Sequence, residues 1–558
     1  MSVGPLDAAV AARLAAWETD AVAERMWRKD GTLWSASGTD PGTTVERLGW
    51  LDLPATMPAR IAELVELAAA ARDDGFVQAA VLGMGGSSLA PELFARVFGL
   101  TGEGLELRVL DSTHPDAVRR FREWASRRRT LFLVSSKSGT TTEPLAFHAA
   151  MGEIAGPDAF VAITDPGTPL EETARTARFR AGIAAPADVG GRYSALTVFG
   201  LVPAALAGVD VAALIERAAA MADACREPAT RNPGLALGAW LGEAAAAGRD
   251  KLTLLTSPAL AAFGDWVEQL IAESTGKRGR GIVPVVGEPL GAASAYGDDR
   301  AFVTLTVAGD PDDGVLALAD ELRRLGHPVR RVEITDPLEL GGEFVRWEIA
   351  TASAGMVLEI DPFDQPNVQE SKDATTALLR AYRERGSLPG PAALADTETT
   401  AAFGDAAVLG GSPVSVDDAI RRLIATVRDG DYLAVLAYVA PDDAARDAMQ
   451  RIRARARDAL GVATTAGFGP RFLHSTGQLH KGGPESGVFL QVTTEPERDL
   501  PIPGWAESFG TLIAAQALGD LESLQRRGRR VLRIHGRDAA AAFSSVEAAV
   551  ADPITASV

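Results

Sequence analysis

The sequence predicts an α/β protein: two parallel-sheet α/β sandwiches joined by helices, with an additional α/β segment at the C-terminus. Three observations carry this expectation. From residue 77 onward, short apolar runs alternate with amphipathic stretches. Several runs end in loops of small residues that open a helix, the rhythm of βαβ units and a parallel sheet. The length of 558 residues exceeds what one hydrophobic core serves, which predicts two or three domains of roughly 150–200 residues each.

Taken in order, residues 1–50 read as a helical N-terminal arm, with Leu14, Trp17, Val22 and Met26 at amphipathic spacing. Ile61, Leu64, Val65 and Leu67 continue that texture into a first α/β unit, 51–225. Its expected strands are Val77–Leu82, followed by a glycine loop and the helix Pro91–Phe98, then Leu105–Leu110, Leu131–Val134 and Phe160–Thr164. The last ends in the turn signal Asp165-Pro166-Gly167. Residues 195–250 are Ala-rich and helical, a connector. A second unit, 226–385, resumes with Leu252–Leu255 leading to a helix through Glu273, then Ala301–Val307, the helix Gly314–Leu325 and the strand Val329–Ile334. The stretch 385–415, rich in Pro, Gly, Ala and Thr, reads as a linker. The C-terminal segment, 386–558, repeats the rhythm with Tyr432–Val439, the helix Asp442–Leu460 and Val462–Gly467. Ligands of such sheets bind beyond the C-terminal strand ends.

The formal charge of −19, from 55 basic and 74 acidic side chains, argues against nucleic acid and anionic membranes as partners. An anionic substrate would need a few placed cations and backbone N–H groups. Cys225 is the single cysteine, so no intrachain disulfide forms, in keeping with a reducing compartment. The N-terminus has no basic region followed by an apolar core, and no uncharged apolar run reaches the ~20 residues of a membrane helix. The expectation is a soluble cytoplasmic protein.

Two loops have the composition of phosphate cradles. The first is Gly83-Met84-Gly85-Gly86-Ser87-Ser88. Glycines let backbone N–H groups turn to a ligand, and a helix N-terminus favours an anion. A dinucleotide fingerprint wants Gly where Ser88 stands; its absence and the hydroxyls point to a single phosphate, with Gly86 and Ser87 as candidates. The plainer alternative is a tight βα turn with a Ser N-cap. The second loop, Ser135 to Glu143, holds six hydroxyls, one lysine and one glycine in nine residues. Hydroxyls and N–H groups surround phosphate oxygens well, which nominates Ser136, Lys137, Ser138, Thr140 and Thr141. A capping arrangement would use the same Thr and Glu, but a cap needs one hydroxyl and this loop has a surplus. No GxxxxGK[ST] pattern occurs, so a nucleoside triphosphate is not expected.

Asp188-Val-Gly190-Gly191-Arg192-Tyr193-Ser194 resembles the Gly-Gly-Arg-Phe/Tyr-Ser signature of phosphoglucose isomerases. Phe363-Asp-Gln365-Pro-Asn-Val-Gln-Glu-Ser-Lys372 resembles their second signature, which ends in a functional lysine, and Gln269 to Lys277 resembles the segment with their catalytic base. The two hydroxyl-rich loops are similar to those of the sugar isomerase (SIS) fold, which this family contains twice. The resemblance covers residues 50–380 and a motif near 474, and is nearest the branch also found fused to transaldolase; no transaldolase-like portion is visible. It implies aldose–ketose isomerisation of a sugar phosphate without cofactor.

That chemistry moves a proton between neighbouring carbons through an enediol, which one shielded carboxylate can do. Gln269 and Glu273 are four apart, hence on one helix face; on spacing alone Glu273 is an ordinary solvated glutamate, and the resemblance makes it the base. Glu268 is a rival pointing away from Gln269's line. Arg192, behind two glycines, suits a developing oxyanion, the alternative being a structural ion pair; by resemblance it stabilises the intermediate, with Gly191 and Gln269 at the substrate. His474-Ser-Thr-Gly-Gln478 resembles the ring-opening histidine segment, with Lys372 as its lysine. Of the other histidines, His114 and His148 read as caps or packing, His327 and His535 have no motif, and His480 is a competitor or a surface residue. No Cys/His/Asp cluster has metal-ligand spacing. Two departures stand out: Lys372 precedes His474 by about a hundred residues, the reverse of the usual order, and Asn367 replaces a small Gly or Ala. In the family this histidine crosses a dimer interface, so a homodimer is implied.

The competing readings are a dual phosphoglucose/phosphomannose isomerase and a non-catalytic sugar-phosphate sensor, which would not need Glu273, Arg192 and Lys372 together. A glutamine-dependent aminotransferase needs an N-terminal cysteine, whereas position 2 is Ser. A dinucleotide oxidoreductase is disfavoured by Ser88.

Overall fold

The computed structural model describes residues 5–310 and 312–551; the ends of the arm (1–4) and of the C-terminal segment (552–558) lie outside them. Among the described residues the strands form three sheets. In the first, β1 Gln78–Gly83, β2 Glu106–Leu110, β3 Thr130–Ser135, β4 Phe160–Thr164 and β5 Ala181–Ala184 run parallel in the order β2-β1-β3-β4-β5. In the second, β6 Lys251–Thr256, β7 Val283–Val285, β8 Arg300–Val307 and β9 Val329–Ile334 run parallel in the order β7-β6-β8-β9.

The third sheet joins β10 Ala395–Asp396, β11 Thr400–Gly404, β12 Tyr432–Tyr438, β13 Ala463–Phe468, β14 Gly487–Thr494 and β15 Arg530–Gly536 in the order β10-β11-β15-β14-β12-β13. Its strands β13-β12-β14-β15 are parallel and repeat the winding of the other two: the first strand lies between the second and the third, and the fourth follows. The C-terminal segment is thus a third unit wound like its predecessors.

Strands buried on both faces of a helix-covered parallel sheet are apolar throughout. Every residue of β1, β3, β4 and β12 is buried, which is why those runs are plain in the sequence. The edges are not. β7 contains Pro284, which an edge strand tolerates, and β5 is Ala-Gly-Ile-Ala. The expected linker 385–415 differs most: it contains β10 and β11, and β11 pairs antiparallel with β15. Its weak local propensity is overridden by pairing to an already formed edge.

One apolar core runs from Val10, Trp17 and Trp34 of the arm through Val81 and Leu133 to Val303 and Phe344 of the second unit. The third sheet packs one face on its own helices, through Val435, Leu490, Ile452 and Phe543. The other face sets Leu436, Tyr438 and Phe489, with Phe472 from the segment after β13, against Ala272, Val283 and Val285. That contact docks the His474 segment on the helix Ala261–Thr275. Among the described residues no helix is long and apolar enough to cross a membrane.

Candidate active site

The loop after β1 is built for close approach of three backbones. Gly85 has φ +57°, and a Cβ there would lie 2.9 Å from Gln269 Nε2 and 3.0 Å from the His474 carbonyl. A Cβ on Gly86 would lie 1.9 Å from the Gly191 carbonyl oxygen. Ser87 is buried. Ser88, fully buried, donates to the Gly85 carbonyl at 3.1 Å instead of capping the next helix.

In the loop after β3, Ser136 Oγ donates to Thr141 Oγ1 at 3.0 Å, and Ser138 and Thr140 share a hydroxyl bond at 2.9 Å. Thr141 occupies the N-cap position of the helix Thr142–Met151 but makes no capping bond, so the hydroxyls are not consumed by capping. Ser138, Thr140 and Thr141 line a cleft of 280 Å³ together with Glu143, Lys372, His474 and Gln516. Lys137 is apart from that group: its ammonium pairs with Asp165 and donates to the Ala187 carbonyl at 3.0 Å.

The helix Ala261–Thr275 presents Gln269 and Glu273 on one face. Gln269 Nε2 donates to Glu273 Oε2 at 3.1 Å and to the His474 carbonyl at 2.7 Å. Glu273 Oε1 stands 3.4 Å from Arg192 Nη1, and its side chain is 13% exposed. The Arg192 guanidinium, buried, spends four donors on Ser274 Oγ (2.8 Å), Gln365 Oε1 (2.9 Å) and the Pro362 (2.6 Å) and Asp364 (2.9 Å) carbonyls. With five donors on a guanidinium, one remains on the Glu273 side. Glu268 faces a different cleft, with Asp265 and Arg471. There burial, reinforced by Asp265, pushes its carboxyl up to about 8.

His474 Nε2 lies 3.2 Å from Glu143 Oε1, within one chain. Burial alone would raise the pKa of Glu143, but its interaction and hydrogen bond with His474, with Lys372 nearby, bring it below the ordinary carboxylate range. Gln516 Nε2 also donates to Glu143 Oε1, at 2.8 Å, and its own carbonyl accepts from Thr113 Oγ1 at 2.7 Å. The sequence offered Glu143 only as part of a capping arrangement, and nothing local singles out Gln516.

The two departures in the motifs fit together. Gln478 accepts from the Asn367 N–H at 2.9 Å, and its amide donates to Asn367 Oδ1 at 2.8 Å and the Gly276 carbonyl at 2.9 Å. The larger residue at 367 thus locks the displaced histidine segment to the Gln365 loop and to the end of the Glu273 helix. Lys277 braces the same junction, pairing with Asp364 Oδ1 at 2.7 Å and the Asp361 carbonyl; burial, with Arg192 close by, lowers it to about 8.

His480 is not a surface residue. It is 2% exposed and packs edge-on to Phe489 at 5.1 Å, because it faces inward on the short helix Gly477–Gly482 that carries Gln478. His114 accepts from the Asp116 N–H at a helix start, and His148 packs on Phe160.

Parallel-sheet units whose strand-end loops meet over such a set of groups have the arrangement a phosphosugar isomerase requires. No protein-family profile matches the chain. A glucose-6-phosphate isomerase from Symbiobacterium thermophilum is 31% identical over 388 residues, covering 59% of this chain and 86% of its own. Another, from Synechococcus sp. (strain JA-3-3Ab), is 30% identical over 358 residues, covering 55% of this chain and 67% of its own. Of solved structures, a hypothetical protein from Thermus thermophilus superposes with a TM-score of 0.56 at 24% identity, over 66% of this chain and 98% of that one. A glucose-6-phosphate isomerase from Chlamydia trachomatis gives 0.53 at 19%, over 67% and 86%. These two share the fold. The chain belongs to the glucose-6-phosphate isomerase family and is an isomerase.

Proposed function

We propose that the enzyme interconverts glucose 6-phosphate and fructose 6-phosphate, with Glu273 carrying a proton between C1 and C2. The observation that supports this most is the double anchorage of Glu273: a Gln269 amide at one oxygen and the Arg192 guanidinium at the other, both rigidly held. A carboxylate so placed can take a proton from one carbon and return it to the next while Arg192 stabilises the enediolate oxygen.

The remaining steps follow from the groups around it. The Ser138–Thr142 loop would hold the phosphate through hydroxyls and the helix N-terminus. His474, oriented by Glu143, would pass a proton to the ring oxygen, with Lys372 beside it in the cleft, opening the ring before proton transfer. In this reading the histidine is supplied by the third unit of the same chain.

Purified protein in a coupled assay, fed fructose 6-phosphate and read as glucose 6-phosphate formed, tests the reading. Steady turnover supports it; none from folded protein sinks it.

A further inference from the structure

The third sheet repeats the winding of the first but carries neither hydroxyl-rich loop. In the first sheet the cleft lies after β3, the third strand of its unit. In the third sheet the corresponding strand is β14, and the segment after it, with the start of the helix Phe509–Arg526, lines a separate cleft of 640 Å³. It occupies the C-terminal edge of the sheet, where open α/β sheets hold ligands.

Arg533 of β15 faces this cleft. Its Nε donates to Thr493 Oγ1 at 3.0 Å, and its guanidinium carbon lies 5.1 Å from the Phe403 ring. Among the described residues it forms no ion pair, and burial lowers it to about 10. Two of the acids that line the cleft make other contacts. Glu495 attracts Arg533 without bonding to it and stands 3.3 Å from the His535 ring, and Asp499 accepts from the Leu500 and Gly510 N–H groups at 2.7 and 2.8 Å. In a chain of net charge −19, a half-buried guanidinium that forms no ion pair and faces a cleft keeps donors free for an external anion. Phe403 and Tyr382 add aromatic surface to the cleft.

We propose that this cleft is a second small-molecule site, for an organic phosphate or carboxylate with an apolar ring: the anion at Arg533 and Thr493, the ring against Phe403 and Tyr382. A guanidinium fork matches either anion. The site has a route to the catalytic cleft, because the helix that lines it through Thr511 and Ala514 also carries Gln516 to Glu143.

Phenylphosphonate, which combines both parts and is not hydrolysed, is the probe. It is titrated calorimetrically into the full chain with and without saturating fructose 6-phosphate. The expected result is one binding event that survives the sugar phosphate and weakens at least tenfold in R533M, whose isomerase activity is unchanged. Should R533M not fold, R533K decides, with at least fivefold weakening expected because the fork is lost. Complete displacement by fructose 6-phosphate, or unaltered affinity in the folded variant, overturns the proposal. Failure of fructose 6-phosphate to bind in its own titration counts against the catalytic reading alone.

Discussion

The ring of His474 and the carboxylate of Glu143 meet at 3.2 Å across 331 residues of sequence. One comes from the third sheet's unit and the other from the first, so the pair ties the candidate cleft to the docking of the C-terminal segment. The His474 backbone carbonyl meanwhile takes the Gln269 amide that holds Glu273. A single residue therefore joins the groups proposed for ring opening to those proposed for proton transfer.

Removing the charge of that pair affects activity and stability together. E143Q is expected to lower kcat by on the order of 100-fold, the lower end of what a positioned acid or base contributes. Glu143 has a folded-state pKa below its ordinary value, so its stabilisation is complete above the ordinary carboxylate range and is lost as pH falls through the folded value. The Tm gap between wild type and E143Q, measured against pH, should be widest near neutrality and close on acidification. A gap independent of pH would contradict the pairing.

Glu268 offers the opposite sign. Its pKa is raised to about 8 by burial, so the folded state keeps a proton that the unfolded state releases above about 4.3. Folding stability attributable to Glu268 falls as pH rises through that window. E268Q removes the ionisation and should gain stability relative to wild type toward pH 8, with isomerase activity retained. Melting curves across pH check the first point, and loss of activity would reopen the choice between the two carboxylates.

The Gln478 lock predicts a coupled defect. Q478L leaves the Asn367 N–H and the Gly276 carbonyl unpaired in a buried setting, at about 1–3 kcal/mol for each group left unsatisfied. Because Gln478 touches no reacting group, urea unfolding should show the loss in full, while KM and kcat at low temperature shift by less than in E143Q.

Close backbone approach gives a further test. In G86A the new Cβ would sit 1.9 Å from the Gly191 carbonyl oxygen, so the two loops must part. Overpacking of this kind costs about 1–3 kcal/mol, and Arg192, the neighbour of Gly191, moves with the loop. Activity should fall by at least tenfold, whereas G182A, with nothing within 4 Å of its Cβ, should be silent.

What was legible in the sequence has a physical pattern. The hydroxyl surplus at 135–143, the glycines at 85, 86, 190 and 191, and the Gln269–Glu273 spacing are local signals, standing at strand ends, in a short turn past β5 or on one helix face. The central strands were legible because burial on both faces leaves only apolar residues. Glu143 was ambiguous because a capping glutamate and an orienting one share a position; only the meeting with His474 separates them. Lys137 fits a phosphate loop by composition, yet its ammonium is spent on Asp165. The reversed order of Lys372 and His474 was visible, but not its resolution, since strands β14 and β15 and the Asn367–Gln478 lock depend on pairings between distant segments.

The measurement closest to the central claim follows solvent hydrogen into the sugar. Fructose 6-phosphate is incubated in D₂O with wild type, E273Q and E268Q, and deuterium at C1 and C2 is read by NMR. The account predicts exchange and isomerisation with wild type and E268Q. It predicts neither with E273Q, down by about 10²–10⁴-fold in a variant whose melting temperature shows it folded. Exchange by folded E273Q at the wild-type rate would contradict it.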